Sequence, residues 1–406
     1  MNRHDVQSLA RYMRWQDTTP DSAPWKTAVS LGVIKPLRET LYSLRAVFRR
    51  APSVSTTPCD VLLLHYSAAS QARGYRNALV MALRARGLTV TETAIHKPRE
   101  MLAGRTLLSP GWSFVHRYYL HAAYARWLIT RYQPRVILTD KNGSVLAPFL
   151  KAYAKPHGTL VHVAHSIPTD NFRKFSMNAY DYYFLFGHSS LQRLQQRRLF
   201  GDSQALLTGT YAAHTPVAPP TQQDTVLVLG TGPALENTAE VRHAYAVILH
   251  AARLLPDMLF VVKPHPRSTA AIWLKHSPPP NLRVLPPDTA LGAALADAFA
   301  AVGSFTNAAI DCALQQRPFI LVAESDTDRQ LDIHTMAPIC RTAQQLATTL
   351  QTVAQAPAHW HTQALHFAEH HVAHGLHGPD VIADSVLALV RGETLPNTVS
   401  LTGRFP

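Results

Sequence analysis

Short apolar runs alternate with longer segments of helical periodicity along most of the chain. In residues 58–212 these runs are rich in apolar and β-branched side chains, which is typical of buried strands. The strands predicted there are 60–65, 88–95, 135–140, 159–165, 182–186 and 205–207, and the helices are 74–86, 111–132 and 145–154. Strands of this length that alternate with helices predict a parallel, doubly wound sheet. The first domain, residues 58–212, is therefore expected to be Rossmann-like.

The same pattern restarts after a proline-rich segment. Residues 213–223 contain Pro216, Pro219 and Pro220 and form the expected interdomain linker. In residues 224–378 the predicted strands are 225–229, 259–262, 282–285, 299–302 and 319–323, and the helices are 239–255, 291–298, 308–316 and 360–374. A further helix, 381–390, lies in a closing segment and tail, residues 379–406. The pattern thus predicts an α/β protein with two Rossmann-like, doubly wound domains.

Residues 1–57 read as a basic, amphipathic N-terminal extension. Apolar side chains recur there at three- and four-residue steps, at Val29, Val33, Leu37, Leu41, Leu44 and Phe48. Basic side chains cluster near them, at Lys35, Arg38, Arg45, Arg49 and Arg50. Two interpretations stay open. Residues 27–50 form a helix that contacts an anionic membrane surface, or the helix packs on the first domain, with Pro36 marking its start or a kink.

The charge balance narrows the range of partners. The 406-residue chain has 39 Lys and Arg against 26 Asp and Glu, a formal net charge of +13. An excess of this size favours anionic partners such as phospholipid headgroups, sugar nucleotides or acidic polymers. No nucleic-acid partner is expected, because aromatic residues are not interleaved with a basic strand face. No window reaches the roughly 18 to 20 apolar residues of a membrane-spanning helix.

Cysteine and histidine usage gives no sign of a metal site. Cys59, Cys312 and Cys340 are the three cysteines and show no CxxC spacing, which predicts a reducing cytosol without disulfides or structural zinc. Histidines crowd residues 359–377, where His366 and His370 have helical i, i+4 spacing. No HExxH motif accompanies them, so a solvated helix face is the favoured interpretation and no metal ligand is predicted.

Two strand ends in the second domain carry candidate chemistry. The strand 259–262 is followed by a cationic loop with Lys263, His265, Pro266 and Arg267. The strand 299–302 is followed by a small-residue turn with Gly303, Ser304, Thr306 and Asn307. Open α/β sheets bind ligands at the carboxyl ends of their strands, and a turn leading into a helix offers free N–H groups for an anion. The two loops together predict a phosphate or diphosphate site.

These loops resemble the motifs of a known enzyme group. Lys263-Pro-His265-Pro266 is similar to the His-Pro motif, and Ser304-Phe-Thr306 to the Ser/Thr motif, of the GT-B capsule-polymer transferases. That group includes bacterial polysialyltransferases and CDP-glycerol glycerophosphotransferases. The resemblance covers nearly all of residues 59–391 and implies the GT-B fold, with two Rossmann-like domains facing a cleft. It also implies that the histidine and the hydroxyls hold the phosphate of a CMP- or CDP-linked donor.

The resemblance suggests roles for further residues of the second domain. Asp311 stands where related enzymes carry an acidic residue for the nucleotide ribose, with Asp in place of the more common Glu. Gly230-Thr231-Gly232 resembles a phosphate-binding turn that lacks the third glycine of a dinucleotide fingerprint. The enzyme implied in this way is an inverting transferase that uses no cofactor and no catalytic metal.

The catalytic base is expected in the first domain. Asp140 and His165 each end a predicted strand, and either side chain suits the removal of a proton from an acceptor hydroxyl. The strand that ends at His165 resembles the strand ending in Gln-His-Gly of capsule and teichoic-acid transferases, with Ala164 and Ser166 in place of Gln and Gly. His265 is the third candidate catalytic residue, because it suits the charge that grows on the departing phosphate.

The predicted function is that of a glycosyltransferase, or a glycerophosphotransferase-like enzyme, which builds a capsule or other cell-surface polysaccharide. Its expected partners are a nucleotide-sugar donor and a glycan or glycolipid acceptor. Its expected place is the cytoplasm, or the inner face of the plasma membrane as a peripheral protein. One alternative is a UDP-sugar 2-epimerase, which shares a strand end like His265-Pro-Arg267 but carries a Gly-Gly and paired-Glu stretch that residues 305–311 lack. The other is a non-catalytic, basic nucleotide- or polyanion-binding protein.

Overall fold

The chain forms two separate β-sheets. The structure is a computed structural model that describes residues 3–18, 29–169, 172–212, 216–274, 277–324, 331–403 and 405. The chain divides into unit 1, residues 1–213 with 377–406, and unit 2, residues 214–376. Residues 213–215 of the predicted linker and residues 27 and 28 of the predicted membrane-contacting segment lie outside the described residues.

Unit 1 is built around a seven-stranded sheet with the order β12-β6-β5-β4-β3-β1-β2. Its strands are β1 (Val61–His65), β2 (Val90–Ala94), β3 (Val136–Thr139), β4 (Thr159–Val163), β5 (Tyr182–Leu185), β6 (Ser203–Leu207) and β12 (Val399–Leu401). All neighbours pair in parallel except β12, which runs antiparallel to β6. Its helices are α1 (Arg3–Asp17), α2 (Lys35–Phe48), α3 (Ala68–Ala72), α4 (Asn77–Ala85), α5 (Pro98–Ala103), α6 (Tyr119–Tyr132), α7 (Ala147–Ala154), α8 (His188–Gln195) and α16 (Gly378–Val390).

The C-terminal helix completes the core of unit 1. Leu63 and Leu138 of the sheet form one buried cluster with Leu83 of α4 and with Ile382 and Val386 of α16. Helices cover the strands on both faces, so β1 and β3 are buried at every position and are apolar in sequence except for their last residues, His65 and Thr139. The last part of the chain is therefore structurally part of the first unit.

Unit 2 has a five-stranded parallel sheet with the order β11-β10-β7-β8-β9. Its strands are β7 (Thr225–Leu229), β8 (Leu259–Lys263), β9 (Leu282–Val284), β10 (Ala300–Gly303) and β11 (Phe319–Leu321). Its helices are α9 (Pro233–Glu236), α10 (Ala239–Leu254), α11 (Ala271–Leu274), α12 (Leu291–Leu295), α13 (Ala308–Leu314), α14 (Ala343–Gln355) and α15 (Pro357–His371). The main core packs Val228 and Val262 of the sheet against Ile248 of α10 and Leu346 and Leu350 of α14.

The predicted strands are confirmed with shifts of a few residues at their ends. The helix predicted over residues 111–132 is too long, because α6 begins at Tyr119, and α14 was not predicted. The helix predicted over residues 74–86 is α4, and the short helix α3 before it was not predicted. A turn at Gly74, whose φ of +64° favours glycine, separates the two. The short strand β12 was not predicted either.

The N-terminal extension forms two helices of unit 1. A π-helical turn, Ser30–Ile34, leads without a break into α2, and Pro36 is the second residue of α2. Helix α2 packs on unit 1 through small residues, since Ser43 and Ala46 are fully buried. The predicted apolar residues of this helix stay on the solvent side. Within the described parts of the chain, no helix has the length and apolarity to cross a membrane.

The junction between α16 and the loop after β6 leaves no room for a side chain. A Cβ on Gly378 would overlap the carbonyl oxygen of Thr210 and stand 2.8 Å from its nitrogen. We expect Gly378→Ala to destabilise unit 1 by about 1–3 kcal/mol, because backbone on both sides must move. Urea denaturation followed by fluorescence measures the change in the free energy of unfolding.

Gly32→Ala is the matched control for this substitution. No atom lies within 4 Å of the Cβ position at Gly32, and alanine favours the helical backbone, so its unfolding midpoint should stay the same or rise slightly. Equal midpoints for Gly378→Ala and the wild-type protein would contradict the close approach of Gly378 to Thr210.

Candidate functional site

In unit 2 the predicted phosphate-binding loops leave three adjacent strands at one edge of the sheet. The glycine turn follows β7, the loop with His265 follows β8, and the turn with Ser304 follows β10. Strands β8 and β9 are added to the sheet on one side of β7, and β10 and β11 on the other side, so the strand order reverses between β7 and β10. Ligands of open α/β sheets bind at such a switch point. Loops from strands two apart are roughly 10 Å from each other, a span that suits a diphosphate.

Gly230 brings the first two loops into contact. Its nitrogen donates a hydrogen bond to the carbonyl oxygen of Lys263 at 2.9 Å. A Cβ at this position would lie 3.1 Å from the nitrogen of His265 and 3.1 Å from the Cα of Pro264. Glycine at residue 230 thus allows this close packing of backbone against backbone, and a side chain there would require the His265 loop to shift by a few tenths of an ångström.

His265 presents a hydrogen-bond donor toward the glycine turn. Its Nδ1 accepts a hydrogen bond from the backbone nitrogen of Arg267 at 3.1 Å, so the proton of the neutral ring resides on Nε2. A Cβ on Gly232 would stand 3.7 Å from that Nε2 and 3.5 Å from a terminal nitrogen of Arg267. Burial lowers the pKa of His265, the Arg267 and Lys263 cations lower it further, and Glu236 opposes them. The imidazole N–H and the guanidinium thus both lie close to Gly232, and their binding of a phosphate stays a prediction.

Lys263 and Thr231 stabilise the loops after β8 and β7 through hydrogen bonds to other groups of the protein. Lys263 is 8% exposed, and its Nζ donates hydrogen bonds to the carbonyl oxygens of Pro264 at 3.1 Å and Pro287 at 3.3 Å. Burial lowers the pKa of Lys263. The nitrogen of Thr231 donates to the hydroxyl of Tyr245 at 2.8 Å, and its own hydroxyl lies 3.1 Å from the same oxygen. Both side chains bind to protein in this structure, so their direct role toward a phosphate stays a prediction.

The Ser/Thr turn lies where the sequence predicted it. Gly303 ends β10, and Ser304, 3% exposed, follows directly. The hydroxyl of Thr306 accepts a hydrogen bond from the nitrogen of Ala308 at 3.2 Å and so caps the first turn of α13. Asn307 is exposed at the start of that helix, and Asp311 is half-buried within it. The turn is separated from the His265 loop by the width of β7, and the ribose role of Asp311 stays a prediction.

In unit 1, Asp140 belongs to a buried ion pair. Its carboxylate pairs with Arg76, and the two residues are only 5% and 3% exposed. Arg76 also donates to Nδ1 of His65 at 2.6 Å, so the Nε2 proton of His65 donates to Glu92 at 3.0 Å. The carboxylate of Asp140 is thus paired with a cation at one end of a chain of hydrogen bonds and ion pairs, Glu92-His65-Arg76-Asp140. This arrangement favours a positioning role for Asp140 over the predicted role as base.

His165 has the free lone pair that a base needs. Its Nδ1 lies 3.0 Å from the backbone carbonyl oxygen of Asp140. A carbonyl oxygen only accepts, so Nδ1 carries the proton and Nε2 is the basic nitrogen. Burial lowers the pKa of His165, and the cation of Arg76 lowers it further. The imidazole is therefore neutral at neutral pH. Its hydrogen bond to the carbonyl oxygen of Asp140, directly after β3, fixes its orientation.

A cavity of about 740 Å³ opens beside this strand end in unit 1. Its polar lining includes Tyr66, His96, Lys97, His121, Lys141 and Ser144. Burial, followed by the Lys141 and Lys35 cations, lowers the pKa of His121 to about 4, and burial, followed by the Lys174 cation, lowers the pKa of Lys141. The Nδ1 atoms of His96 and His121 have no hydrogen-bond partner among the described residues. The cavity thus combines apolar residues such as Ile95 and Met101 with hydrogen-bonding side chains, among them two lysines and Glu100.

Sequence reasoning missed Arg76 and His121. Arg76 is 64 residues from Asp140 along the chain and stands just before an apolar helix, so only the fold reveals their pairing. His121 lies on α6, within the predicted helix 111–132, and the one available signal was its place in a segment dense in Tyr, Trp and His. His162, in contrast, is fully buried between the rings of Tyr180 and Tyr183. In the described segments, no group of three or more His, Cys, Asp and Glu side chains is arranged to hold a metal ion.

Comparison with known proteins identifies relatives by fold alone. No protein-family model and no curated protein sequence matches this chain. A glycosyltransferase of kitacinnamycin superposes with a TM-score of 0.52 at 13% identity, over 82% of this chain and 100% of its own. UDP-GlcNAc 2-epimerase from Neisseria meningitidis, bound to UDP-GlcNAc, gives 0.53 at 11%, over 80% and 99%. The calicheamicin glycosyltransferase CalG4 gives 0.50 at 13%, over 83% and 99%.

These likenesses confirm the predicted fold class. The chain has two Rossmann-like α/β units with parallel sheets, as GT-B glycosyltransferases and the epimerases have. Glycosyltransferases and epimerases match about equally well, so the fold does not decide between their reactions.

The two site histidines should differ in their tautomers. We expect His165 to carry its proton on Nδ1 and His265 on Nε2, and both rings to titrate below pH 6.5, because burial and neighbouring cations lower both pKa values. Heteronuclear NMR of protein labelled with ¹⁵N-histidine measures both properties.

His165→Gln and His265→Gln variants would assign the two signals. His121, with a pKa of about 4, serves as an internal reference for a buried neutral ring. A titration midpoint above 6.5 for either ring, or the same tautomer in both, would show that the hydrogen bonds described here are not those present in solution.

Proposed function

We propose that this protein is a glycosyltransferase that uses a nucleotide-activated donor. The observation that carries the proposal is the convergence of the Nε2–H of His265, the guanidinium of Arg267 and the turn at Gly232 in unit 2. Donors that are fixed before the reaction stabilise the charge that develops on a departing phosphate, which is the main task of such an enzyme. In this proposal unit 2 binds the donor and unit 1 binds the acceptor.

The donor is proposed to be CMP- or CDP-linked. This choice rests on the similarity of Lys263-Pro-His265-Pro266 and Ser304-Phe-Thr306 to the capsule-polymer transferases. The three adjacent strand ends supply donors along roughly 10 Å, enough for either a monophosphate or a diphosphate. The neighbouring epimerase with bound UDP-GlcNAc supports the broader class of a nucleotide-sugar ligand.

The proposed reaction is a single displacement with inversion. Nε2 of His165 removes the proton of the acceptor hydroxyl, whose oxygen attacks the anomeric carbon of the donor sugar. The bond from that carbon to the phosphate oxygen breaks, and the electron pair leaves with the nucleotide. His265 and Arg267 meet the new negative charge, so protein donors perform the role of a metal ion in this proposal. The buried Arg76–Asp140 pair keeps the Asp140 carbonyl, and with it His165, in place.

The acceptor is proposed to be a glycan or glycolipid of a capsule or another cell-surface polysaccharide. The cavity beside β1 and β3 is large enough for a sugar unit, and Lys97 and Lys141 in its lining favour an acceptor with an anionic group. Growth of such a polymer from nucleotide sugars would occur in the cytoplasm, with the enzyme peripheral on the inner face of the plasma membrane.

Nucleotide binding tests the donor site first. We expect CMP or CDP to raise the melting temperature of the wild-type protein, because a ligand at a hundred times its dissociation constant adds about 2.7 kcal/mol of stability. His265→Ala and Arg267→Ala should lose most of this stabilisation while keeping the melting temperature of the free protein. UDP and a nicotinamide dinucleotide are measured in parallel.

His250→Ala is the matched control, since His250 is an exposed histidine on α10 of the same unit. Stabilisation by UDP alone would favour a UDP-sugar transferase or the epimerase reaction, which incubation with UDP-GlcNAc followed by sugar analysis separates. No stabilisation by any nucleotide would overturn the proposal.

The pH dependence of turnover tests the base. The neutral, basic form of His165 exists above its pKa, which is depressed, so the acid limb of kcat/KM should lie below pH 6.5 and activity should fall as pH drops through it. His165→Gln should lower kcat by about 10²–10⁴-fold and remove that limb, with nucleotide stabilisation unchanged.

His188→Gln, at an exposed histidine of the same unit, should leave the whole pH profile unaltered. Retention of the wild-type acid limb by His165→Gln would assign proton removal to another group.

A further inference from the structure

Helix α2 and the turn before it expose an apolar face that the fold leaves uncovered. Its large hydrophobic residues are between 47% and 86% exposed: Val29, Val33, Ile34, Leu37, Leu41, Leu44 and Phe48. At 100° per residue their steps of three and four place them on one side of the helix. Single exposed hydrophobic residues are common on protein surfaces, but a contiguous row marks an interaction surface.

The opposite side of α2 fixes the orientation of this apolar face. Ser43 is fully buried, its hydroxyl donates to the carbonyl oxygen of Arg117 at 2.7 Å, and it accepts from the nitrogen of Leu120 at 3.3 Å. Glu39 turns the same way and lies 3.6 Å from Arg117. The helix is thus held on α6 by its small and polar residues. Its apolar side faces outward as a result of this packing.

The exposed charged residues of the helix itself are all basic. Four arginines are exposed beside it or just beyond its end: Arg38, Arg45, Arg49 and Arg50. The single acidic residue between positions 29 and 50 is Glu39, which faces Arg117. A second copy of the same face would therefore meet four arginines with no carboxylate to pair them. An apolar surface flanked by arginines fits a partner that is apolar inside and anionic outside.

We propose that α2 and the preceding turn bind flat on the surface of an anionic lipid bilayer. The row of apolar side chains enters the boundary between headgroups and acyl chains, and the arginines bind the anionic headgroups. Residues 29–48 form a helix roughly 30 Å long, enough to lie across several headgroups. The arginines and the packed reverse side keep it in the plane of the interface. The inference goes beyond the proposed catalytic function and does not depend on it.

Vesicle co-sedimentation tests the proposal on the full chain. The wild-type protein should bind vesicles that contain 30% phosphatidylglycerol in phosphatidylcholine at least tenfold more strongly than pure phosphatidylcholine vesicles. Higher salt should weaken this binding, because it screens the arginines. The double variant Leu41→Glu, Phe48→Glu should lose at least tenfold in binding to the anionic vesicles, and Arg45→Glu, Arg49→Glu should lose the preference for anionic lipid.

Met81→Glu is the matched control, since Met81 is a 69% exposed apolar residue on α4 of the same unit. It should bind vesicles like the wild-type protein. All four substituted positions of the double variants are exposed, so melting temperatures should be unchanged. A Phe48→Trp variant should also show a blue shift of its emission, relative to Phe48→Trp without vesicles.

Three results would overturn the proposal. The first is no binding of the wild-type protein to anionic vesicles. The second is an equal loss of binding in Met81→Glu, which would show that any added carboxylate suffices. The third is a dimer in analytical ultracentrifugation that Leu41→Glu, Phe48→Glu dissociates without an effect on vesicle binding, which would assign the face to a second copy of the chain.

Discussion

Parallel pairing of strands in register is the constraint on which both candidate sites depend. In unit 2, Leu229 pairs with Lys263 on one side and with Gly303 on the other, so three loops leave the sheet at the same level. In unit 1, Thr139 pairs with Leu64 and with His162 in the same way. Each sheet therefore gathers residues that are far apart in sequence at a single edge. Crossover helices on both faces are required for such pairing, and they explain why the strands are apolar on both sides.

The sequence predicts the buried strands and the residues that follow them, because both depend on local runs of apolar residues. A run such as β1, buried at every position, is recognisable as a strand, and the residues after it are then placed at the sheet edge without further knowledge. His265 and Arg267 were found by that logic. The strand β12 was missed because it has three residues and two of them are exposed. Helix α1 does bury Val6 and Leu9 at helical spacing, a signal that its many charged residues conceal.

Long-range polar contacts lie outside the reach of this reasoning. The tautomer of His165 depends on a carbonyl oxygen 25 residues away, and the commitment of Asp140 depends on Arg76. No periodicity encodes either partner. The sequence could thus identify the strand ends that carry the site. It could not show that Asp140 pairs with Arg76 or that Lys263 donates to backbone carbonyls. It also could not show that His165 carries its proton on Nδ1 and His265 on Nε2.

Buried cations account for part of the basic composition. Arg317 is fully buried and donates to the carbonyl oxygens of Ala298 at 2.8 Å, Gln315 at 2.7 Å and Ala218 at 2.5 Å. It ties the end of α13 to the chain before β10 and to the segment that enters unit 2. Arg76 and Lys263 are internal in the same sense. A net charge of +13 therefore overstates how basic the outer surface is, and the local clustering of arginines on α2 says more about partners than the total.

The insertion of unit 2 within unit 1 sets an order for folding during synthesis. Unit 2 is one continuous stretch, residues 214–376, whereas the core of unit 1 needs Ile382 and Val386 from the end of the chain. Two further contacts of unit 1 need residues near the end of the chain. The edge of β6 pairs with β12, and Asn178 donates a hydrogen bond to the carbonyl oxygen of Leu401 at 2.8 Å. During synthesis, all residues of unit 2 have therefore been made before those of unit 1 are complete. The unit made first keeps an open apolar face and a free strand edge until the last thirty residues emerge, the period in which a chaperone would protect it.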